Sequence, residues 1–235
     1  MTGQKTEVLE RIQGRLIVSC QALPEEAMFS AEYPIMKHFA RAAQLGGAGG
    51  IRANSVRDIT AIRAEVPLPV IGIIKRKYGD CPVCITPTLR EAEELAETGC
   101  EIIAMDATTR PRPDDERLEA VFAKCRERWP DRLWMADCAT EAEGLRAWAM
   151  GFDLIGTTLA GYTEDTRGTA LPDFGLMRSL TGAGCRVIAE GGIWTPEQLA
   201  QAMDCGAFAA VVGTAITRPM EITRRFAGVL RDHSL

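Results

Sequence analysis

Charged and hydrogen-bonding residues recur at the ends of short apolar runs in this sequence. Ser19 and Gln21 follow one run, Arg52 and Asn54 another, and Lys75, Asp106, Asp137, Thr158 and Glu190 close five more. Along an extended chain the side chains alternate between two faces. Lys75 therefore shares a face with Ile73 and Ile71, Asp137 with Met135, and Glu190 with Ile188. Each charge tops an apolar column. A lysine above a dry layer is a candidate proton acceptor or Schiff-base nucleophile. Any one of these charges reads equally well as half of a rim salt bridge. Their recurrence in phase with run after run favours a shared site instead.

The elements that must position these groups also repeat. Apolar, β-rich runs at 16–19, 50–53, 70–75, 102–106, 133–137, 154–158, 187–190 and 209–213 predict eight strands. Several are nearly all apolar, as suits parallel strands covered on both faces. Helical patterns follow them, for example Leu118, Val121, Phe122 and Cys125 at i, i+3, i+4 and i+7. Ser55-x-x-Asp58, Thr88-x-x-Glu91, Thr140-x-x-Glu143 and Thr195-x-x-Gln198 predict capping boxes, the first less strictly because it ends in Asp. Pro196 suits a first helical position.

A strand–helix unit repeated eight times without a long linker predicts an α/β protein, a single-domain (β/α)8 barrel over residues 1–235. An open doubly wound sheet is the other arrangement the repeat permits. In a barrel the strand-end charges line one mouth. The stretch 76–87 is the longest polar insertion expected between a strand and its helix, and reads as a lid or rim.

The last two strands carry a separate signal. EGGI at 190–193 and VGTAITR at 212–218 both place glycines directly after a strand. Glycine lets backbone N–H groups approach an anion closely. Barrels often hold phosphate between these two loops, and Arg218 adds a charged donor fork.

Bulk properties narrow the partners. The formal net charge of −5 gives no reason to expect nucleic acid. No apolar run approaches the roughly 18 residues of a membrane span, and the polar N-terminus lacks a signal core, so a cytoplasmic protein is expected. Eight scattered cysteines fit that compartment if reduced. Cys81 and Cys84 form one CxxC, but no second pair exists and the only histidines are His38 and His233. Zinc needs about four ligands, so the pair reads as two small loop side chains and no metal is expected. There is no dinucleotide fingerprint, so no nicotinamide cofactor is expected either.

Longer ordered motifs add a resemblance. LIVSCQALP (16–24), GGIRAN (49–54), PVIGIIKR (69–76), ITPT (85–88), MAD (135–137), GTTLAGYT (156–163) and AEGGI (189–193) together resemble the bacterial N-acetylmannosamine-6-phosphate 2-epimerase family of sialic acid catabolism. The likeness runs from about residue 14 to about 219. It implies a sugar-phosphate ligand, no cofactor and a homodimer. It implies Lys75 and Glu190 as an acid–base pair, supported by Arg52 and Asp137, with Gln21, Thr158 and Tyr162 on the substrate. Gly192, Gly213, Thr214 and Arg218 are the implied phosphate cradle. Three positions depart from the pattern. Lys77 stands in place of an acidic residue, Thr214 in place of a second glycine, and Cys84 in place of an aromatic. Thr214 still has a backbone N–H to donate.

The implied chemistry is removal of a proton from C2, which needs the sugar ring open so that C1 is an aldehyde. Lys75 must then be neutral, with its pKa lowered from about 10.4. Burial and Arg52 both push that way. Glu190 either carries protons during ring opening or reaches the opposite face of C2. Arg52 either steadies oxygen charge or pairs with a phosphate or carboxylate. Asp137 either orients Lys75 or binds a hydroxyl. Two other readings compete: a Schiff-base aldolase acting through Lys75, and a sugar-phosphate sensor without turnover.

Overall fold

The computed structural model describes residues 3–232, so His233 lies outside the described residues. Eight parallel strands close into a barrel in sequence order, β1 pairing with β2 and with β8. They are β1 (Leu16–Cys20), β2 (Gly50–Asn54), β3 (Val70–Ile73), β4 (Ile102–Asp106), β5 (Leu133–Asp137), β6 (Leu154–Gly156), β7 (Val187–Ala189) and β8 (Ala209–Val212). The helices are α1 (Gly3–Ile12), α2 (Met36–Leu45), α3 (Val56–Glu65), α4 (Leu89–Glu97), α5 (Leu118–Arg128), α6 (Glu141–Met150), α7 (Phe174–Gly182), α8 (Pro196–Asp204), α9 (Thr214–Thr217) and α10 (Pro219–Asp232).

Two-residue alternation divides the strand residues between two apolar layers. Ile71, Ile73, Met135 and Ile188 belong to the barrel interior. Val70 and Ile74 pack outward with the helices. The charges at 75, 137 and 190 thus stand in register with the interior columns, as expected. Helix α1 precedes the first strand and brings Val8, Leu9 and Ile12 into the interior cluster beside Ile17, Ile102, Leu133 and Leu154. These are early strand residues, so α1 closes the end of the barrel opposite the strand C-termini.

Thr88, Thr140 and Thr195 start α4, α6 and α8 with complete capping boxes. Ser55 accepts the Asp58 N–H, but the Asp58 carboxylate turns to Arg57 instead of reaching back. Aspartate is one methylene shorter than glutamate, and the reciprocal bond is not made.

Four strands are shorter than the sequence suggests, β8 by one residue because it stops at Val212. β3 stops at Ile73, β6 at Gly156 and β7 at Ala189, so Lys75, Thr158 and Glu190 lie in the turns just beyond the ladders. The insertion at 76–87 is no loose lid. Lys75 pairs with Ile85 in an antiparallel bridge, and the Arg76 N–H donates to the Cys84 carbonyl at 2.9 Å. It is a short hairpin on the rim, and the segment 157–173 after β6 is longer. All eight cysteines are free, and all but Cys81 and Cys84 are buried. Among the described residues no helix is long and apolar enough to cross a membrane.

Candidate active site

A cavity of about 650 Å³ opens at the C-terminal ends of the strands. Lys75, Glu190, Gln21, Thr158 and Tyr162 line it, as do Gly192, Gly213, Thr214 and Arg218. Arg52 and Asp137 do not. They lie beneath it, 1% and 0% exposed.

The Arg52 guanidinium joins two carboxylates. Its Nη1 donates to Asp137 Oδ1 at 3.0 Å and its Nη2 to Asp137 Oδ2 at 2.6 Å. Nη1 also stands 2.9 Å from Glu190 Oε2. The Thr158 hydroxyl lies 2.7 Å from Asp137 Oδ1 and 3.1 Å from Glu190 Oε2. Thr157 fixes the Glu190 backbone, accepting its N–H at 3.0 Å and donating to its carbonyl at 2.8 Å. Gly156 makes this packing possible: a Cβ there would lie 2.3 Å from the Met135 methyl and 3.2 Å from Asp137 Oδ1.

Lys75 is half-buried and shares the cavity with Glu190. Burial lowers its pKa, and the neighbouring charges of Arg52 and Arg218 lower it further. Glu190 moves the other way. Burial raises its pKa and the Asp137 carboxylate adds to this, against the pull of Arg52 and the Thr158 hydrogen bond. The two shifts run toward each other, the direction that paired proton transfer requires.

Two side chains fix the backbone at Lys75. Asn54 Oδ1 accepts the Lys75 N–H at 2.8 Å. Thr86, fully buried, accepts the Ile74 N–H through its hydroxyl at 3.3 Å and donates its own N–H to the Ile74 carbonyl at 2.8 Å. Thr86 does so at φ +44°, a region β-branched residues rarely occupy.

The other end of the cavity suits an anion. Gly192 sits at φ +72°, and a Cβ there would lie 2.4 Å from Leu171 Cβ, so only glycine fits. Gly213 precedes the short helix α9, whose first N–H groups have no intrahelical acceptor. Arg218 follows α9 and meets Glu26 from the loop at 21–35 as an ion pair. That partner was not legible in the sequence, because residues 26 and 218 come together only when the barrel closes. Gln21 donates to Ser19 Oγ at 2.8 Å, and its buried Oε1 has no partner among the described residues, nor has Arg52 Nε. Asp106, at the end of β4, holds Arg110 at 2.6 Å, and both line the cavity. Arg110 carried no strand-end signal. Among the described residues no three His, Cys, Asp or Glu side chains are grouped to hold a metal ion.

Residues 36–232 match the NanE family, described as "Putative N-acetylmannosamine-6-phosphate epimerase". A protein of Enterobacter sp. (strain 638), named "Putative N-acetylmannosamine-6-phosphate 2-epimerase", is 51% identical over 231 residues, 97% of each chain. A relative of the same name from Listeria innocua is 49% identical, covering 95% of this chain and 97% of that one. The solved N-acetylmannosamine-6-phosphate 2-epimerase from Clostridium perfringens superposes with a TM-score of 0.89 at 46% identity, covering 94% of this chain and 95% of that one. A thiamine phosphate pyrophosphorylase from Pyrococcus furiosus superposes at 0.60 with 16% identity, a likeness of fold alone.

Proposed function

The chain belongs to the N-acetylmannosamine-6-phosphate epimerase family, and we propose that it inverts C2 of N-acetylmannosamine 6-phosphate to give N-acetylglucosamine 6-phosphate, using Lys75 and Glu190. One observation carries the assignment of roles. Lys75 and Glu190 line one cavity with their pKa values shifted toward each other, and the glycine turns with Arg218 line the same cavity.

In the open-chain sugar the C2 proton is acidic because C1 is an aldehyde. Neutral Lys75 takes that proton on Nζ, and the electron pair moves onto O1 as an enolate whose C2 keeps its acetamido nitrogen. Protonated Glu190 then delivers its proton to the opposite face of C2. Its new carboxylate is held by Arg52 and the Thr158 hydroxyl, both already in place. Asp137 keeps Arg52 charged and aimed. The phosphate rests between Gly192, Gly213 and Thr214, with Arg218 exchanging Glu26 for it. Gln21 and Tyr162 complete the sugar contacts, Gln21 through its unpartnered Oε1.

Two further points belong to this reading. Helix α10 exposes Phe226, Val229 and Leu230 along one side, and Phe226 is 74% exposed. An apolar face of this kind supports a homodimer. Eight free cysteines support a reducing, cytoplasmic setting. Family membership does not favour the aldolase alternative.

The test is purified protein with N-acetylmannosamine 6-phosphate, followed by NMR. Appearance of the gluco epimer to equilibrium is expected. An unchanged spectrum, or a cleaved sugar with Lys75 trapped by borohydride, would overturn the proposal.

A further inference from the structure

The lysine at position 75 is aimed by a device outside the strand ladder. β2 ends at Asn54 and β3 at Ile73, paired in register. The Ser55 N–H still bonds the Ile73 carbonyl at 3.0 Å. Continued pairing would give the Lys75 N–H the Ser55 carbonyl as its acceptor. That carbonyl is turned along α3 instead, because Ser55 caps the helix and accepts the Ile59 N–H at 3.0 Å. The chain of β2 turns away at Ser55, with φ +78°. The Asn54 side chain supplies the missing acceptor, 2.8 Å from the Lys75 nitrogen. On the other side Thr86 takes both backbone groups of Ile74. β3 thus ends two residues early, yet its continuation is fixed on both edges.

We infer that Asn54 is a positioning residue for Lys75: its side-chain carbonyl replaces the lost β2 acceptor and sets where the Lys75 amine reaches into the cavity. The inference rests on the reading of Lys75 as the proton acceptor. The groups that face Lys75 are Arg52 from β2, Glu190 beyond β7, Arg218 beyond α9, and Cys84 on the hairpin. Asn54 adds no charge to that set, and its contribution is geometric.

Two variants separate geometry from charge. Asn54→Leu keeps the approximate shape and removes the acceptor. Asn54→Asp keeps an acceptor and adds a negative charge beside Lys75. A displaced base of this kind costs about 10²-fold in rate. Asn54→Leu is therefore expected to lose about that much kcat at every pH, with KM little changed. Asn54→Asp is expected to reach a kcat plateau near that of the unaltered protein, but with the rising limb of its pH profile moved to higher pH. A kcat and profile for Asn54→Leu like those of the unaltered protein would overturn the inference. If Asn54→Leu does not fold, Asn54→Asp decides, and a kcat lowered at all pH values in a folded Asn54→Asp would also overturn it. Lys75→Met serves as the control. An inactive Lys75→Met beside a fully active Asn54→Leu sinks the positioning role alone, whereas an active Lys75→Met sinks the reading beneath it.

Discussion

Arg52 and Asp137 meet as a double ion pair beneath the cavity floor, Nη1 to Oδ1 at 3.0 Å and Nη2 to Oδ2 at 2.6 Å. Both are buried, so their charges are compensated by each other rather than by water. Burial works against the charge of Arg52, but Asp137 and Glu190 more than offset it and raise its pKa. Removing one partner of such a pair leaves the other charge buried alone.

Asp137→Asn should therefore lower stability by about 3–5 kcal/mol in a denaturant titration. It should also change the pH profile. The Asp137 charge raises the Glu190 pKa, so its loss lowers that pKa. In the proposed mechanism, the direction from N-acetylmannosamine 6-phosphate needs Glu190 protonated. The limb on which activity falls with rising pH should move to lower pH. An unmoved limb would show that Glu190 is not the titrating acid.

Arg218→Ala should raise KM more than it lowers kcat, because the proposed phosphate cradle holds a part of the substrate remote from C2. Glu26→Gln should lower KM, since it removes the carboxylate that now holds Arg218. Steady-state kinetics on both variants checks the placement. A collapsed kcat at unchanged KM for Arg218→Ala would contradict it.

Gly192→Ala should be poorly tolerated. Its φ of +72° and the 2.4 Å approach to Leu171 both exclude a side chain. A loss of more than about 1 kcal/mol of stability and a raised KM are expected. Unchanged thermal unfolding and kinetics would count against the cradle.

The barrel and its interior columns were legible because parallel strands and alternation leave a strong local pattern. Ile71 and Ile73 below Lys75 follow from that pattern alone. The strand ends were less legible. Residue 75 reads as a strand residue by its apolar neighbours, but β2 has already turned into α3 and β3 loses its ladder. Pairings such as Arg218 with Glu26, or Thr217 donating to the Ser19 carbonyl at 2.8 Å, join distant segments and leave no local trace. Arg52 and Asp137 were identifiable as strand-end charges. Their place beneath the floor depends on Gly156, which a sequence reading passes over as a small strand residue.

No metal or nicotinamide should be needed, because a C2 proton beside an aldehyde is removable by a neutral amine. Extensive dialysis against a chelator should leave the rate intact. Lost activity that one divalent ion restores would contradict this.

In the proposed mechanism Lys75 and Glu190 act on opposite faces of C2. Turnover of N-acetylmannosamine 6-phosphate in D₂O, followed early by NMR at C2, tests it most directly. The first N-acetylglucosamine 6-phosphate formed is expected to carry deuterium at C2, delivered by solvent-equilibrated Glu190, while unreacted substrate keeps its proton. Product that retains the original C2 proton would contradict it.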